Sequence, residues 1–185
     1  MTEATRLFAQ RGFEGTTSAA LAKRCGVSEA LLYKLFCNKK QLYGAMIEFK
    51  LTHWEPLKVD PETDAPLVEV LGDLARTTFE RVEADPDFAR LMRYAELQET
   101  EFKRTFHEAR GKHLIAELEA FFVRRIATGE LRRDLDTQLC ASSFLCLCWN
   151  YACGAKVFQN DFFPQHPDED VVSFLVTLFA RGLAA

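Results

Sequence analysis

The side chains best suited to specific chemistry lie close together, between residues 28 and 40. Tyr33 and Lys34 are suited to contacting phosphate groups, and Glu29 could accept a hydrogen bond from the amino group of a cytosine. On a helix, these three side chains share one arc with Ala30, and that arc is free to enter a DNA major groove. An ordinary amphipathic surface helix with solvated charges is the alternative interpretation of this segment.

Two adjacent lysines, Lys39 and Lys40, stand at the expected start of a further helix, where Asn38 can act as the N-cap. The helix dipole disfavours cations at this end, so the lysines break a local rule. A phosphate would account for them, because the free amides of the helix start and the two ammonium groups could hold it jointly. We therefore predict a contact with the nucleic-acid backbone at both lysines.

Two short helices and a turn are needed to present the groove-facing arc, and residues 16–36 supply them. Thr16 is expected to cap a first helix of about eight residues. Gly26 supplies a left-handed turn, and Ser28 is expected to cap a second helix that runs to about Lys34. This is the order of a helix-turn-helix element.

The stretch from Leu7 to Leu42 resembles the N-terminal domain of the TetR family of bacterial transcriptional repressors. The resemblance rests on matches in the family's order and spacing at Leu7, Phe8, Gly12, Phe13, Thr16, Thr17, Leu21, Ala22, Gly26, Val27, Ser28, Leu32, Tyr33, Phe36, Lys39 and Leu42. It implies contacts with phosphates at Thr17, Tyr33 and Lys39, and with bases at Glu29, Ala30, Leu31 and Lys34. The N-cap Ser28 and the second lysine, Lys40, are added to this set. The predicted DNA-binding residues are therefore Thr17, Ser28, Glu29, Ala30, Leu31, Tyr33, Lys34, Lys39 and Lys40.

Leu31 and Leu35 depart from the family pattern, which more often has a polar residue and a His or Tyr at these positions. Helical spacing places both on the core side with Leu32 and Phe36, so we expect them to enlarge the core or to contact thymine methyl groups. The family also has a longer first helix behind a basic arm, whereas six residues precede Leu7 here. A truncated start would reduce the affinity for DNA.

Charge divides the chain unevenly. Residues 1–52 carry eight Lys or Arg against four Asp or Glu, a net +4, and the remainder carries fifteen against twenty-three, a net −8. This division predicts that only the N-terminal part meets nucleic acid. The proline-rich segment 55–66 marks an approximate boundary. We predict a helix-turn-helix DNA-binding domain at 1–50 and a ligand-binding and dimerisation domain at 51–185.

The chain has no apolar run long enough to cross a bilayer and no signal peptide, so we expect a cytoplasmic protein with reduced cysteines. Four cysteines lie within residues 140–153, which raises a metal or thiol-sensor site as an alternative. Cys146 and Cys153 share a helical face, whereas Cys140 and Cys148 point elsewhere, so we predict packing residues instead. No nucleotide-binding glycine loop, HExxH motif or CxxC pair occurs, and no enzyme, cofactor or metal is predicted.

An all-α fold is predicted, with an N-terminal three-helix helix-turn-helix domain and a helical C-terminal domain. Apolar spacing predicts helices at about 67–84, from Pro86 behind an Asp85 cap, and from about residue 99 to 126.

Two later segments, 137–158 and 171–183, are apolar on nearly every side, with Asp136 and Asp168 as expected caps. Such helices need partners all round, so we predict a homodimer in which two helices from each subunit form a four-helix bundle. A monomer with both helices at the centre of its core is the alternative.

The resemblance further implies a small-molecule inducer bound in the C-terminal domain. Aromatic residues with a few polar neighbours could line an apolar cavity, and the predicted ligand-binding residues are Phe79, Tyr94, Phe102, Phe106, Phe121, Phe144, Trp149 and Asn150. Ordinary core packing is the alternative for each aromatic residue. Asn150 is the most informative, because an amide in so apolar a helix needs a partner from the protein, a ligand or the other subunit. We expect an apolar or aromatic inducer.

The sequence therefore predicts a TetR-type transcriptional regulator, a repressor that binds a palindromic operator in double-stranded DNA as a homodimer and is released by a small-molecule inducer. Two alternatives remain open. One is a helical small-molecule-binding or interaction protein with a degenerate DNA-binding domain, which the short first helix, Ala19 and Leu35 favour. The other is an activator or nucleoid-type binder that needs no inducer.

Overall fold

The computed structural model describes residues 2–97, 111–159, 161–163 and 166–185. These residues contain no β-strand, which confirms the predicted all-α fold. Their helices are α1 Thr2–Arg11, α2 Ser18–Cys25, α3 Glu29–Leu35, α4 Lys39–Thr52, α5 Leu67–Ala84, α6 Pro86–Leu97, α7 Lys112–Ala127, α8 Thr137–Ala152 and α9 Asp168–Leu183. Within the described ranges, none of these helices combines the length and the apolar character needed to span a membrane.

The chain divides into two compact units, and the first is Met1–Glu55 with Asp85–Thr105. Its core joins buried apolar residues from α1, α2, α3, α4 and α6, namely Ala4, Leu7, Phe8, Ala9, Leu21, Leu32, Leu42, Tyr43, Met46, Ile47 and Leu91. Asp85 caps α6 as predicted, since its Oδ1 accepts a hydrogen bond from the Phe88 amide at 3.0 Å. The other carboxylate oxygen of Asp85 pairs with Lys50 of α4.

The second unit is Pro56–Ala84 with Phe106–Ala185. Helix α5 packs against α8 and α9, and α7 packs against α8. The rings of Phe144 in α8 and Phe179 in α9 lie 5.0 Å apart between centroids. The predicted bounds of α5 are confirmed. The helix predicted from about residue 99 is described only as α7, and its earlier part, with Phe102 and Phe106, lies outside the described residues.

Asp136 caps α8 as predicted, but Asp168 does not cap α9. Asp168 is the first residue of α9, and no side-chain capping bond precedes it. Its carboxylate lies 2.9 Å from the Nζ of Lys156, which belongs to the π-helical turn Cys153–Val157 that continues α8. Lys156 also lies 3.4 Å from Glu83 of α5. Asp168 therefore forms an ion pair that joins α9 to the π-helical turn, and the local sequence pattern does not reveal this pair.

The four cysteines of α8 and its π-helical extension differ in their surroundings. Cys148 and Cys153 are buried, as predicted for packing residues, and burial raises the pKa of the Cys148 thiol to about 12. That thiol therefore stays protonated and unreactive near neutral pH. Cys140 is half-buried, and the prediction is wrong for Cys146, which is exposed. Cys153 is the first residue of the π-helical turn that continues α8. In the described ranges, no three potential metal ligands come together.

Candidate nucleic-acid interface

Helices α2 and α3 form the predicted helix-turn-helix. Gly26 follows α2 with a φ of 68°, a left-handed conformation that a side chain would disfavour. Ser28 then caps α3, because its Oγ accepts a hydrogen bond from the Leu31 amide at 3.1 Å. Both features confirm the sequence-based assignment. They fix the direction in which α3 leaves the turn, and with it the direction of every side chain on α3.

Thr16 is wrong as the cap of α2. The cap is Thr17, whose Oγ1 accepts a hydrogen bond from the Ala20 amide at 3.2 Å. Thr16 is fully buried, and its hydroxyl donates to the Gly12 carbonyl at 2.7 Å, so it fastens the loop to the end of α1. Thr17 is exposed, as contact with a phosphate would require.

A hydrogen bond between the two helices positions Tyr33. Its hydroxyl donates to the Oγ of Ser18, the first residue of α2, at 2.7 Å. Tyr33 is still 46 % exposed. If Ser18 instead donates to Tyr33, the phenol proton becomes available to a phosphate oxygen. Sequence analysis missed Ser18, because the two residues are fifteen positions apart and no local pattern links them.

The structure separates the two lysines at the start of α4. Asn38 caps this helix as predicted, accepting from the Gln41 amide at 2.9 Å. The Nζ of Lys39 donates to the Phe13 carbonyl at 2.9 Å and lies 4.4 Å from the centroid of the Phe13 ring. Lys39 thus fastens the segment between α1 and α2. Lys40 is exposed, and its ammonium has no partner within the described part of the chain.

Leu31 and Leu35 are not part of the core. Leu31 is 42 % exposed and Leu35 is 64 % exposed, whereas Leu32 is buried and Phe36 is half-buried. The helical wheel was wrong because it made the buried arc too wide, and α3 packs through a narrower stripe at Leu32 and Phe36. The outward surface of α3 consists of side chains that are all exposed, namely Glu29, Ala30, Leu31, Tyr33, Lys34 and Leu35.

The aromatic residues predicted to bind a ligand are mostly packed in the second unit. Phe79, Phe121 and Phe144 are at most 2 % exposed. The Phe79 ring is stacked on Tyr151 with centroids 6.0 Å apart. Tyr94 is 37 % exposed and belongs to the first unit.

Asn150 is exposed, and its Nδ2 donates to the Cys146 carbonyl at 2.8 Å. Its amide therefore finds a partner within its own helix. A separate surface cleft of about 240 Å³ lies between the loop before α5 and α5 itself, and it is lined by Leu57, Lys58, Val59, Asp60, Thr63, Ala65, Val70, Asp73, Leu74 and Thr77. This volume is below the range of about 300–1,000 Å³ typical of ligand pockets.

The chain has a capped helix-turn-helix that packs with α1 and α4 and is joined to a helical C-terminal part. This arrangement places it among transcriptional regulators that bind DNA through an N-terminal domain. The chain belongs to the TetR family of bacterial regulatory proteins. The family's sequence profile matches residues 1–46, and the profile of the AefR-like transcriptional repressor C-terminal domain matches residues 69–183.

Among individual relatives, the nucleoid occlusion factor SlmA of Haemophilus influenzae is 28 % identical over 147 residues, which cover 77 % of this chain and 66 % of the relative. The chain therefore spans just under two thirds of the length of that relative. A TetR transcriptional regulator from Agrobacterium tumefaciens has the same fold, with a TM-score of 0.72 and 21 % identity over 100 % of this chain and 92 % of the other. The regulator FadR of Bacillus subtilis in complex with stearoyl-CoA matches with a TM-score of 0.66 and 18 % identity, over 98 % and 96 % of the two chains.

Proposed function

We propose that this TetR-family regulator is a cytoplasmic repressor that binds a palindromic DNA operator as a homodimer and is released by an apolar or aromatic small molecule. The observation that carries the proposal is the outward surface of α3, where every side chain is exposed while the helix is fixed by its Ser28 cap. A helix held in this way can enter a major groove without rearrangement. The net +4 of residues 1–52 supports contact with phosphates at the same end of the chain.

The proposed contacts divide by chemistry. Thr17, Tyr33 and Lys40 are assigned to phosphates, and Ser18 positions the Tyr33 hydroxyl at 2.7 Å. Glu29 and Lys34 are assigned to bases, because both are exposed on the outward surface of α3. Lys39 acts mainly through the Phe13 carbonyl, so its contribution to DNA binding is to hold the domain in shape. We assign DNA binding to residues 1–50, and ligand binding and dimerisation to residues 51–185.

Exposed apolar residues on the last two helices support the proposed homodimer. In α8, Leu139 is 62 % exposed and Leu147 is 37 % exposed; in α9, Phe174 is 65 % exposed and Leu178 is 58 % exposed. Two such helices from each protomer would cover one another in a four-helix bundle. Successive major grooves on one face of DNA are about 34 Å apart, so a two-fold dimer suits a palindromic site.

Fluorescence anisotropy would test the proposal, using purified protein and DNA from upstream of its own gene beside scrambled DNA over a salt series. Tight, salt-sensitive binding that is selective for the upstream DNA is the expected result. Equal, weak binding to both DNAs would overturn the proposal and favour a ligand-binding or interaction protein with a degenerate DNA-binding domain.

Lys40→Ala is expected to weaken binding to every DNA sequence. The slope of log affinity against log salt should fall by about one for each protomer, because one phosphate contact is lost. Lys112→Ala is the matched control, since Lys112 is an exposed lysine on α7 in the acidic part of the chain. A Lys40→Ala protein with an unchanged salt slope would contradict the phosphate assignment.

The proposed inducer draws support from the aromatic composition of the second unit and from the stearoyl-CoA bound to the FadR relative. A panel of fatty acyl-CoA esters and aromatic compounds should contain one that raises the melting temperature and weakens operator binding. If every compound leaves both quantities unchanged, the apolar inducer is contradicted.

The nucleoid occlusion factor SlmA among the relatives favours a second candidate function, a nucleoid-type DNA-binding protein that needs no inducer. Mapping of the sites bound in cells would separate the two. Binding at one or a few promoters supports the repressor, whereas binding dispersed around the chromosome supports the second candidate.

A further inference from the structure

The outward surface of α3 is more apolar than contact with phosphates requires. Leu31 is 42 % exposed and Leu35 is 64 % exposed. They are four residues apart, so their side chains are neighbours on one face of the helix. Ala30 is exposed as well. Exposed apolar side chains beside the polar Glu29, Tyr33 and Lys34 indicate a partner with complementary apolar groups.

We infer that Leu31 and Leu35 determine sequence specificity by contacting the 5-methyl groups of thymines in the major groove. This inference rests on the proposed DNA-binding function. Every base pair presents hydrogen-bond donors or acceptors in the major groove, and thymine alone adds a methyl group. A leucine side chain neither donates nor accepts a hydrogen bond. It therefore favours the methyl group of thymine, and it disfavours a guanine or cytosine whose polar edge it would leave unpaired.

The groups beside the two leucines fit DNA rather than an apolar protein partner. Lys34 is exposed on the same helix, and its ammonium has no partner in the described part of the chain. An apolar protein surface would bury that charge at a high cost, whereas the DNA major groove and its bordering phosphates would accept it. Tyr33, held by Ser18 at 2.7 Å, adds a second group suited to phosphate.

The spacing of the leucines limits the pattern of thymines. Side chains four residues apart on a helix have Cβ atoms about 5–6 Å apart. Successive nucleotides of one strand rise about 3.4 Å along the duplex axis. The two leucines can therefore reach methyl groups one or two base steps apart. Each half-site is expected to contain two thymines with this separation, and the palindrome repeats them on the other half.

The test is selection of binding sites from random duplex DNA, followed by replacement of single thymines with uracil. Uracil removes only the 5-methyl group and keeps base pairing. At each contacted position, the replacement should weaken binding about fourfold, the value of one buried methyl group. Replacement of thymines elsewhere in the same site should leave the affinity unchanged. Because the DNA is altered and not the protein, misfolding cannot produce this result.

Two variants assign the effect to the leucines. In Leu31→Ala and Leu35→Ala, the ratio of affinities for the thymine and uracil duplexes should fall towards one at the position that each residue contacts. Val68→Ala is the control, because Val68 is an apolar residue of α5 with 53 % exposure, and it should keep the ratio of the unaltered protein.

The outcomes separate this inference from the proposed function. Equal affinity for thymine and uracil duplexes would overturn the role of the leucines while operator binding stood. A selected half-site without two thymines one or two steps apart would do the same. Failure to enrich any sequence would overturn both.

Discussion

Replacing Phe174 and Leu178 by glutamate is expected to convert the protein to monomers and to abolish tight operator binding. Both side chains are more than half exposed on α9 and lie four residues apart, so they form one apolar strip. Burying a large apolar side chain contributes about 1.5–3 kcal/mol, and in a two-fold interface each substitution acts twice. Even the Phe174→Glu change alone should therefore weaken the dimer by roughly 3–6 kcal/mol, which is about 100-fold or more in the dissociation constant.

Light scattering during gel filtration would measure the change. The unaltered protein should elute with twice the 21.1 kDa mass of the chain, and the double variant with the mass of one chain. Anisotropy on the same samples should give weak, non-selective binding for the variant, because a single DNA-binding domain reaches only one half-site.

A matched control tests whether the position of the charge matters. Val123 is 53 % exposed on α7, outside the apolar strip of α9 and outside α8, so Val123→Glu should leave the protein dimeric. Far-ultraviolet circular dichroism would verify that all variants keep their helical content. A double variant that stays dimeric would rule out the proposed interface, and dissociation of the Val123→Glu protein would show that added charge alone breaks the dimer.

Sequence patterns predicted correctly those features whose cause lies within a few residues. Gly26, Ser28, Asn38 and Asp85 begin or end helices as expected, because each acts through its own backbone or through an amide three residues further on. The bounds of α5 followed in the same way from the spacing of its apolar residues.

The predictions that failed depended on contacts between distant segments. Thr16 and Thr17 are equally good caps by composition, and burial of Thr16 against the Gly12 carbonyl decides between them. Asp168 is placed by Lys156 of the π-helical turn. The contact of the Lys39 ammonium with the Phe13 carbonyl, twenty-six residues away, was equally absent from the sequence analysis, and the phosphate contact of Lys39 stays a prediction. No local rule contains these partners.

The candidate DNA-binding surface was predictable in position and only partly in chemistry. Helical spacing identified Glu29, Ala30 and Lys34 as outward-facing, and their exposure agrees with this. Helical spacing could not predict the width of the buried stripe, because that width depends on how closely neighbouring helices approach α3. Leu31 and Leu35 were therefore assigned to the core, although both are exposed. The sequence predicts the proposed ligand site less well than the DNA-binding surface, because a buried aromatic residue such as Phe121 has the same sequence pattern in a core as in a pocket.

Arg125→Ala is expected to lower the free energy of unfolding by about 3 kcal/mol. Arg125 is only 9 % exposed in α7. Its guanidinium donates to the carbonyls of Thr63 at 3.0 Å and Ala65 at 2.5 Å, and to the Glu130 carboxylate at 2.5 Å. Removing it leaves the Ala65 carbonyl and the partly shielded Glu130 carboxylate without this donor, and leaves the Thr63 carbonyl with Arg124 alone.

The neighbouring Arg124 indicates why the loop before α5 depends on these contacts. Arg124 donates to the same Thr63 carbonyl at 2.9 Å and to the Asp64 carboxylate at 2.6 Å. The hydrogen bond from Arg124 to Asp64 lowers the pKa of the Asp64 carboxyl. Asp64 is fully exposed, so solvent screens that pair. Arg125 is shielded from solvent, and the loop therefore loses more when Arg125 is removed.

Urea unfolding at a fixed protein concentration would measure the effect, since dimerisation makes stability depend on concentration. A loss of about 3 kcal/mol corresponds to a fall of roughly 6–12 °C in melting temperature for a chain of this size. Arg132→Ala is the control, because the exposed pair of Arg132 with Asp134 at 3.2 Å should contribute less than about 1 kcal/mol. Arg125→Lys should fall between the two, since lysine keeps the charge but lacks the planar fork that reaches both carbonyls and the carboxylate. If Arg125→Ala and Arg132→Ala unfold at the same urea concentration, the loop is held by other contacts and the role assigned to Arg125 is wrong.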